Sequence, residues 1–172
     1  MVLMSALIAM EIVLSRFLSF SVWNMKIGLA FAPVVVAAIL LGPIKAGIVG
    51  AIADFLGAIL FPIGTYFPGF TFTAFLTGMV FGLFLYKKQS LPNILAAVGI
   101  NLLVLSLFLQ TFWISVLYNA NYMAVLVSRL TQVAILIPVQ VVVITLISKT
   151  IVDFRRRRES RNGADNGRHK HA

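Results

Sequence analysis

Between Asp54 and Gly78 the chain reads DFLGAILFPIGTYFPGFTFTAFLTG: an apolar run, a turn, and a second apolar run. The turn holds Pro62, Gly64, Pro68 and Gly69, with Tyr66 and Phe67 between the prolines. Lipid offers backbone groups no hydrogen bonds. Helix-breaking residues at membrane depth are therefore tolerated only where the freed backbone is buried in protein or lines a cavity. The stretch folds most simply as a hairpin of two membrane spans with a rigid aromatic tip, and that tip is a candidate wall of a binding site. An acid, Asp54, lies inside the first run, and Thr71, Thr73 and Thr77 lie inside the second.

The remainder of the chain suits the same solvent. Of its 172 residues 60% are hydrophobic and 11% are charged, where a soluble domain carries about 25% charged residues. Mean hydropathy is +1.01. A span takes ~20 apolar residues to cross ~30 Å of hydrocarbon. Residues 1–154 then fit six short, tightly linked spans as one membrane domain, followed by a polar tail, 155–172.

The spans read as Val2–Leu14, Ile27–Leu41, Ala46–Phe61, Phe70–Tyr86, Asn93–Val116 and Met123–Ile151. The apolar start has no basic region before it, so it reads as a span and not as a cleaved signal. Ser5 and Ala9 make a small-xxx-small pair on the first helix, which lets another helix approach closely. Ser15–Lys26 is too polar for a span and too apolar for a solvated loop, and reads as a long interfacial loop folding over a site. Pro92 stands where a missing N–H costs little, and Pro138 is placed to bend the last helix. Residues 155–172 are basic and Gly/Asn-rich, the composition of a disordered tail.

Net charge is +9, but it sits in the wrong places for nucleic acid. The run Arg155–Arg158 directly follows a span, which fits the positive-inside rule and anionic lipid. Lys45, Lys87, Lys88, Lys149 and that run fall on one side, which is then the cytoplasm and holds both termini. Three cations break the rule: Arg16 and Lys26 in the first external loop, and Arg129 about two turns inside the outer end of the last span. A basic residue at a helix centre costs about 2.5–3.5 kcal/mol on insertion scales, so something normally pairs with it. The internal acids are Glu11 and Asp54 alone, leaving the outer half with one positive charge in excess.

Plain structural pairs, Arg16 with Glu11 and Arg129 with Asp54, are one reading of these charges. The other is an anionic organic ligand held by Arg16, Lys26 or Arg129. Tyr66, Phe67, Tyr118 and Tyr122 would then offer aromatic faces to a flat ring. Asn101, Asn121, Gln132 and the threonines would offer hydrogen bonds. Convergent polar groups in an aromatic cavity are what a small-molecule site looks like.

Other chemistries find no support. There is no cysteine, hence no disulfide, thiolate nucleophile or Cys-based metal site. His169 and His171 lie in the tail and read as solvated. No carboxylate–histidine cluster or base-activated nucleophile is present, so the chain does not read as an enzyme and no cofactor is implied. No Gly-rich phosphate loop is present either. Any energy-driven step would draw on partner subunits or on an ion gradient.

Residues Gly50–Gly78 resemble the folate-family substrate-binding subunits of energy-coupling-factor (ECF) vitamin transporters. The Asp-Phe-Leu-Gly and Phe-Pro-Gly-Phe-Thr pieces carry the resemblance. So do Arg16–Ser19, Lys26-Ile27-Gly28, Gly42-Pro43 and, downstream, Arg129, Gln132 and Pro138. It covers the chain from about Ser5 to Lys149. It implies an all-α integral membrane protein of six transmembrane helices, both termini inside, in a bacterial plasma membrane. It implies capture of folate from outside by the external loops. It also implies assembly with a transmembrane coupling subunit and two ATPase subunits. In this family an Ala-xxx-Ala face on the first helix docks the coupling subunit; here the matching pair is Ser5 and Ala9. Folate suits the residues physically: Arg16 and Lys26 would hold its glutamate carboxylates, Asp54 or a neighbouring amide would meet the pteridine amino and ring N–H groups, and Tyr66 and Phe67 would pack on its rings. Arg129 serves either end. The rival readings are an ion-coupled carrier, which would relay protons through Glu11 and Asp54, and an ECF subunit for another anionic or aromatic vitamin.

Overall fold

The computed structural model describes residues 2–17, 20–22, 25–62 and 65–168. The tip residue Gly64 and the histidines of the tail lie outside these. Helix α1 is Val2–Arg16. Strands β1 (Phe20–Val22) and β2 (Met25–Ile27) follow as an antiparallel hairpin, pairing Phe20 with Ile27, Ser21 with Lys26 and Val22 with Met25. Helices α2 (Phe31–Leu41), α3 (Pro43–Leu60) and α4 (Pro68–Leu85) come next. Then come α5 (Leu91–Tyr118) and α6 (Tyr122–Arg168).

Local chemistry sets most of these boundaries. Gly42, at φ 90°, turns the chain between α2 and α3, a conformation that suits a residue without a Cβ. Pro43, Pro68 and Pro92 each stand in the first turn of a helix, where the absent N–H had no partner to lose. Asn119 closes α5 in the left-handed region at φ 51°. Asn121 then caps α6, its Oδ1 accepting the Met123 N–H at 3.0 Å, which satisfies one orphan donor of the first turn.

The segment 15–30 departs from the sequence reading. The second span does not begin at Ile27. Ile27 pairs in β2, and α2 begins only at Phe31. The sequences Phe-Ser-Val and Met-Lys-Ile alternate apolar and polar residues with period two, which suits strands. Strand pairing with Phe20 uses the Ile27 backbone that a helix would need. At the other end of the chain, α6 runs beyond the expected close at Ile151, as far as Arg168.

Among the described residues, four helical stretches are long and apolar enough to cross a membrane: Pro43–Leu60, Pro68–Leu85, Leu91–Tyr118 and Tyr122–Phe154. The described chain is thus a helical bundle with the hydropathy of an integral membrane protein. Short α2 runs through its middle, with six of eleven residues buried. Val35, Ala37 and Ile39 meet Val49, Phe81, Ile94, Val98 and Ile144 in the core. Outward-facing residues are apolar as well, Leu103, Val104 and Phe108 of α5 among them, as a lipid solvent requires.

Helices α3 and α4 form the most intimate pair. A Cβ built on Gly78 would stand 2.6 Å from the Ala46 carbonyl carbon and 2.7 Å from the Gly47 nitrogen. The two backbones are in direct contact there. Close approach of this kind is how helices associate where lipid removes the hydrophobic drive between them. It also fixes how Asp54 on α3 faces the first turns of α4.

Candidate binding cavity

A cavity of about 370 Å³ opens between α1, α3, α4, α5 and α6, within the ~300–1,000 Å³ usual for small-molecule sites. Glu11, Ser15 and Arg16 of α1 line it, with Asp54 of α3 and Phe70, Ala74 and Thr77 of α4. From α5 come Asn101, Ser106 and Gln110, and from α6 Arg129, Gln132, Leu136 and Gln140.

The α6 contribution is an ordinary helical stripe. Arg129, Gln132, Leu136 and Gln140 recur at steps of three and four, so they share one face. The α5 contribution is different. Residues Ile100–Leu109 are wound as a π-helix. Asn101 and Ser106 are five apart, a step that returns to one face only where hydrogen bonds run from i to i+5. The wider winding turns Asn101, Ser106 and Gln110 toward the cavity together.

Arg129 is the most buried cation described, at 9% exposure. Its Nη1 donates to the Ser106 carbonyl at 2.8 Å and to Gln110 Oε1 at 3.1 Å. Both acceptors are neutral, and its Nε is buried with no hydrogen-bond partner. Asn101, 5% exposed, has neither side-chain atom partnered, and Gln140 Oε1 is likewise without a partner. Buried polar atoms left unpaired are costly, and four of these atoms belong to residues lining one cavity.

Arg16 lies against α3. A Cβ at Gly57 would meet its Nε at 3.1 Å and its Nη2 at 3.3 Å, so the glycine leaves room for the guanidinium. Asp54 Oδ2 accepts from Thr71 Oγ1 at 2.9 Å. Tyr66 Oη lies 3.2 Å from the same Thr71 oxygen. A hydroxyl has one hydrogen to give. Thr71 gives its hydrogen to Asp54, so Tyr66 donates to Thr71. This chain ties the hairpin tip to the cavity wall. We expect Thr71→Val to free Tyr66 and to weaken ligand retention several-fold with little loss of stability; equal ligand off-rates in variant and wild type would refute the link.

Of the residues singled out from sequence, Arg16, Asp54, Arg129 and Gln132 line this cavity. Tyr66 stands behind Thr71 and is 39% exposed. Phe67 packs on Trp113, ring centroids 5.3 Å apart, and on Phe70 at 6.2 Å. Tyr122 is at the first turn of α6, away from the lining residues. Lys26 pairs in β2, and its side chain is outside the described part. The aromatic walls are Phe31, Phe70 and Phe81, which the sequence reading did not select. It also missed Ser15, Ser106, Gln110 and Gln140. The usable signal was polarity: Ser106 and Gln110 interrupt an otherwise apolar span, and such residues usually face a cavity.

The family model for "ECF transporter, substrate-specific component" matches residues 1–148. The chain belongs to this family, the substrate-specific components of ECF transporters. Among its relatives, the "Folate transporter FolT" of Clostridium novyi (strain NT) is 41% identical over 145 residues, 84% of each chain. The "Folate transporter FolT" of Leuconostoc mesenteroides subsp. mesenteroides is 31% identical over 147 residues, 81% of this chain and 79% of the relative. A solved structure described as "Crystal structure of FolT bound with folic acid" superposes with TM-score 0.82 at 35% identity, over 87% of this chain and 94% of that one. A second, "Structure and mechanism of the S component of a bacterial ECF transporter", gives TM-score 0.51 at 21% identity over 92% and 94%, and shares the fold alone.

Proposed function

We propose that this chain captures folate from outside the cell in the cavity above and serves as the substrate-specific subunit of an ATP-driven ECF transporter. The observation that carries the reading is a buried cation, Arg129, aimed with neutral partners into a cavity of ligand size. The similarity to folate transporters supplies the ligand. Folate has a flat pteridine, an aromatic ring and two carboxylates, and the wall offers two guanidiniums, phenyl faces and unpaired amides. Arg16 and Lys26 hold the glutamate. Asp54 accepts from the pteridine amino and ring N–H groups, Asn101 and Gln132 bond its remaining edge, and Arg129 neutralises whichever carboxylate reaches it.

All six helices cross the bacterial plasma membrane in this reading, short α1 and α2 included. The end carrying Lys45, Lys87, Lys88 and Lys149 faces the cytoplasm by the positive-inside rule. Residues 155–172 form a basic cytoplasmic extension. Strands β1 and β2 and the start of α4 at Pro68 then lie toward the outer side. The energy comes from two ATPase subunits through a transmembrane coupling subunit, which α1 meets at exposed Ser5 and Ala9.

Four single replacements by alanine, at Arg16, Lys26, Asp54 and Arg129, test the site by folate titration in detergent. At least one must weaken binding tenfold, about 1.4 kcal/mol. Four near-wild-type affinities would end the charge argument. Ala9→Trp tests the docking face: it is expected to prevent copurification with the coupling and ATPase subunits while folate affinity stays as before. Uptake by this chain alone, driven by a proton gradient, would favour a secondary carrier instead.

A further inference from the structure

A second cavity, about 450 Å³, lies at the opposite end of the bundle from the 62–68 tip. Gln89, Leu91 and Ile94, from the start of α5 and the turn before it, form one side, and Thr145, Ser148, Lys149, Val152 and Asp153 of α6 form the other. Ser148 is 3% exposed, and its Oγ has no hydrogen-bond partner. Its neighbours behave differently: Thr145 and Thr150 donate back to the carbonyls of Val141 and Leu146 at 2.7 and 2.9 Å. A buried hydroxyl without a partner is destabilising unless a ligand supplies one. Lys149 and Asp153 stand one turn apart at the rim, both exposed. Below them Leu91, Ile94 and Val152 give the cavity an apolar throat.

The combination selects a ligand class. A cation and an orphan hydroxyl call for an anion with free acceptor oxygens. A carboxylate one turn on calls for a hydrogen-bonding cation attached to that anion. An apolar throat, at the end of the bundle marked by Lys45, Lys87 and Lys88, calls for a molecule that lives at a membrane interface. We propose that this cavity binds the headgroup of a zwitterionic phospholipid bearing a primary ammonium, the phosphate at Lys149 and Ser148 and the ammonium at Asp153. Bound there, the lipid wedges α5 against α6, the two helices that present Asn101 and Arg129 to the first cavity. A purely anionic headgroup would set its charge against Asp153, and a quaternary ammonium would have no N–H to offer it.

Native mass spectrometry and thermal melts of the full chain decide the matter, with phosphatidylethanolamine, phosphatidylcholine, phosphatidylglycerol and soluble phosphoethanolamine as probes. Phosphatidylethanolamine is expected to stay bound best and to raise the melting temperature; soluble phosphoethanolamine is expected to do neither. Lys149→Gln should lower its retention about fivefold, the effect of one cation near a lipid surface. Ser148→Ala should do the same while leaving the lipid-free melting temperature unchanged or higher, because it removes an unpaired hydroxyl. Asp153→Asn should shift preference toward phosphatidylglycerol. Equal retention of the three lipids by the wild type overturns the proposal. So does retention indifferent to Lys149→Gln, or a full response to phosphoethanolamine alone. Folate affinity in detergent serves as the independent check that each variant is folded.

Discussion

Arg129→Met is expected to weaken folate binding by about a hundredfold or more while leaving the apo protein at least as stable as the wild type. Removing one partner of a desolvated charge pair costs about 2–5 kcal/mol of binding, part of it from stranding the other charge, and a hundredfold is about 2.7 kcal/mol. Without ligand the balance reverses. The guanidinium is buried with two neutral acceptors and an unpaired Nε, and its position in a helix crossing lipid costs about 2.5–3.5 kcal/mol on insertion scales. Methionine keeps much of the side-chain volume and removes that cost. Loss of binding with a raised melting temperature is the signature of a cation kept for its ligand. Loss of both together would mean that Arg129 is a structural strut through Ser106 and Gln110. Pteroate, which lacks the glutamate, shows which end it serves. If Arg129 meets the glutamate, the variant loses affinity for folate while binding pteroate as the wild type does; if it meets the ring system, both ligands lose the same factor.

The parts of this site that the sequence exposes are those where one residue's chemistry is improbable in its surroundings. Arg16, Asp54 and Arg129 are charges inside apolar runs, and all three line the cavity. Gln132 follows Arg129 at a helical spacing and could be read with it. Of the prolines, only Pro92 is read from sequence as a first-turn residue; the spans expected from Ala46, Phe70 and Asn93 begin two or three residues earlier, at Pro43, Pro68 and Leu91, because Pro43 and Pro68 open helices as well as closing turns.

What escaped depends on contacts between distant segments. The aromatics of the tip looked like ring platforms. Phe67 instead spends its face on Trp113, which is forty-six residues further along the chain, while Phe31, Phe70 and Phe81 line the cavity. Nothing local separates a phenylalanine facing lipid from one facing a cavity. The π-winding of 100–109 defeated a 3.6-residue period for the same reason. Asn101, Ser106 and Gln110 scatter on an ideal α-helix and converge only in the wider helix that packing against α4 and α6 supports. The β1–β2 hairpin was hidden because three-residue strands carry too short an alternation to outweigh the flanking apolar pattern.

Gly78→Ala is expected to be among the most damaging single-methyl changes in the bundle. The new Cβ would press on the backbone of Ala46 and Gly47, and no side chain there can turn aside to relieve it. Overpacking of this kind costs about 1–3 kcal/mol, and close small-residue contact is much of what holds two helices together in lipid. The damage should reach the ligand as well. Asp54 lies on α3, and Thr71, Ala74 and Thr77 lie on α4, so prising the helices apart at Gly78 lengthens the 2.9 Å Thr71–Asp54 hydrogen bond and widens the cavity. Folate affinity should therefore fall in a variant whose altered residue touches no ligand. Gly99→Ala is the matched control: a Cβ there meets nothing within 4 Å, and alanine favours helix over glycine by about 1 kcal/mol. Thermal unfolding in detergent should place Gly78→Ala well below the wild type and Gly99→Ala level with it or above. Coincident melting curves for the two variants would mean that α3 and α4 are not held backbone to backbone, and the cavity between them would then lack the rigid wall that its selectivity requires.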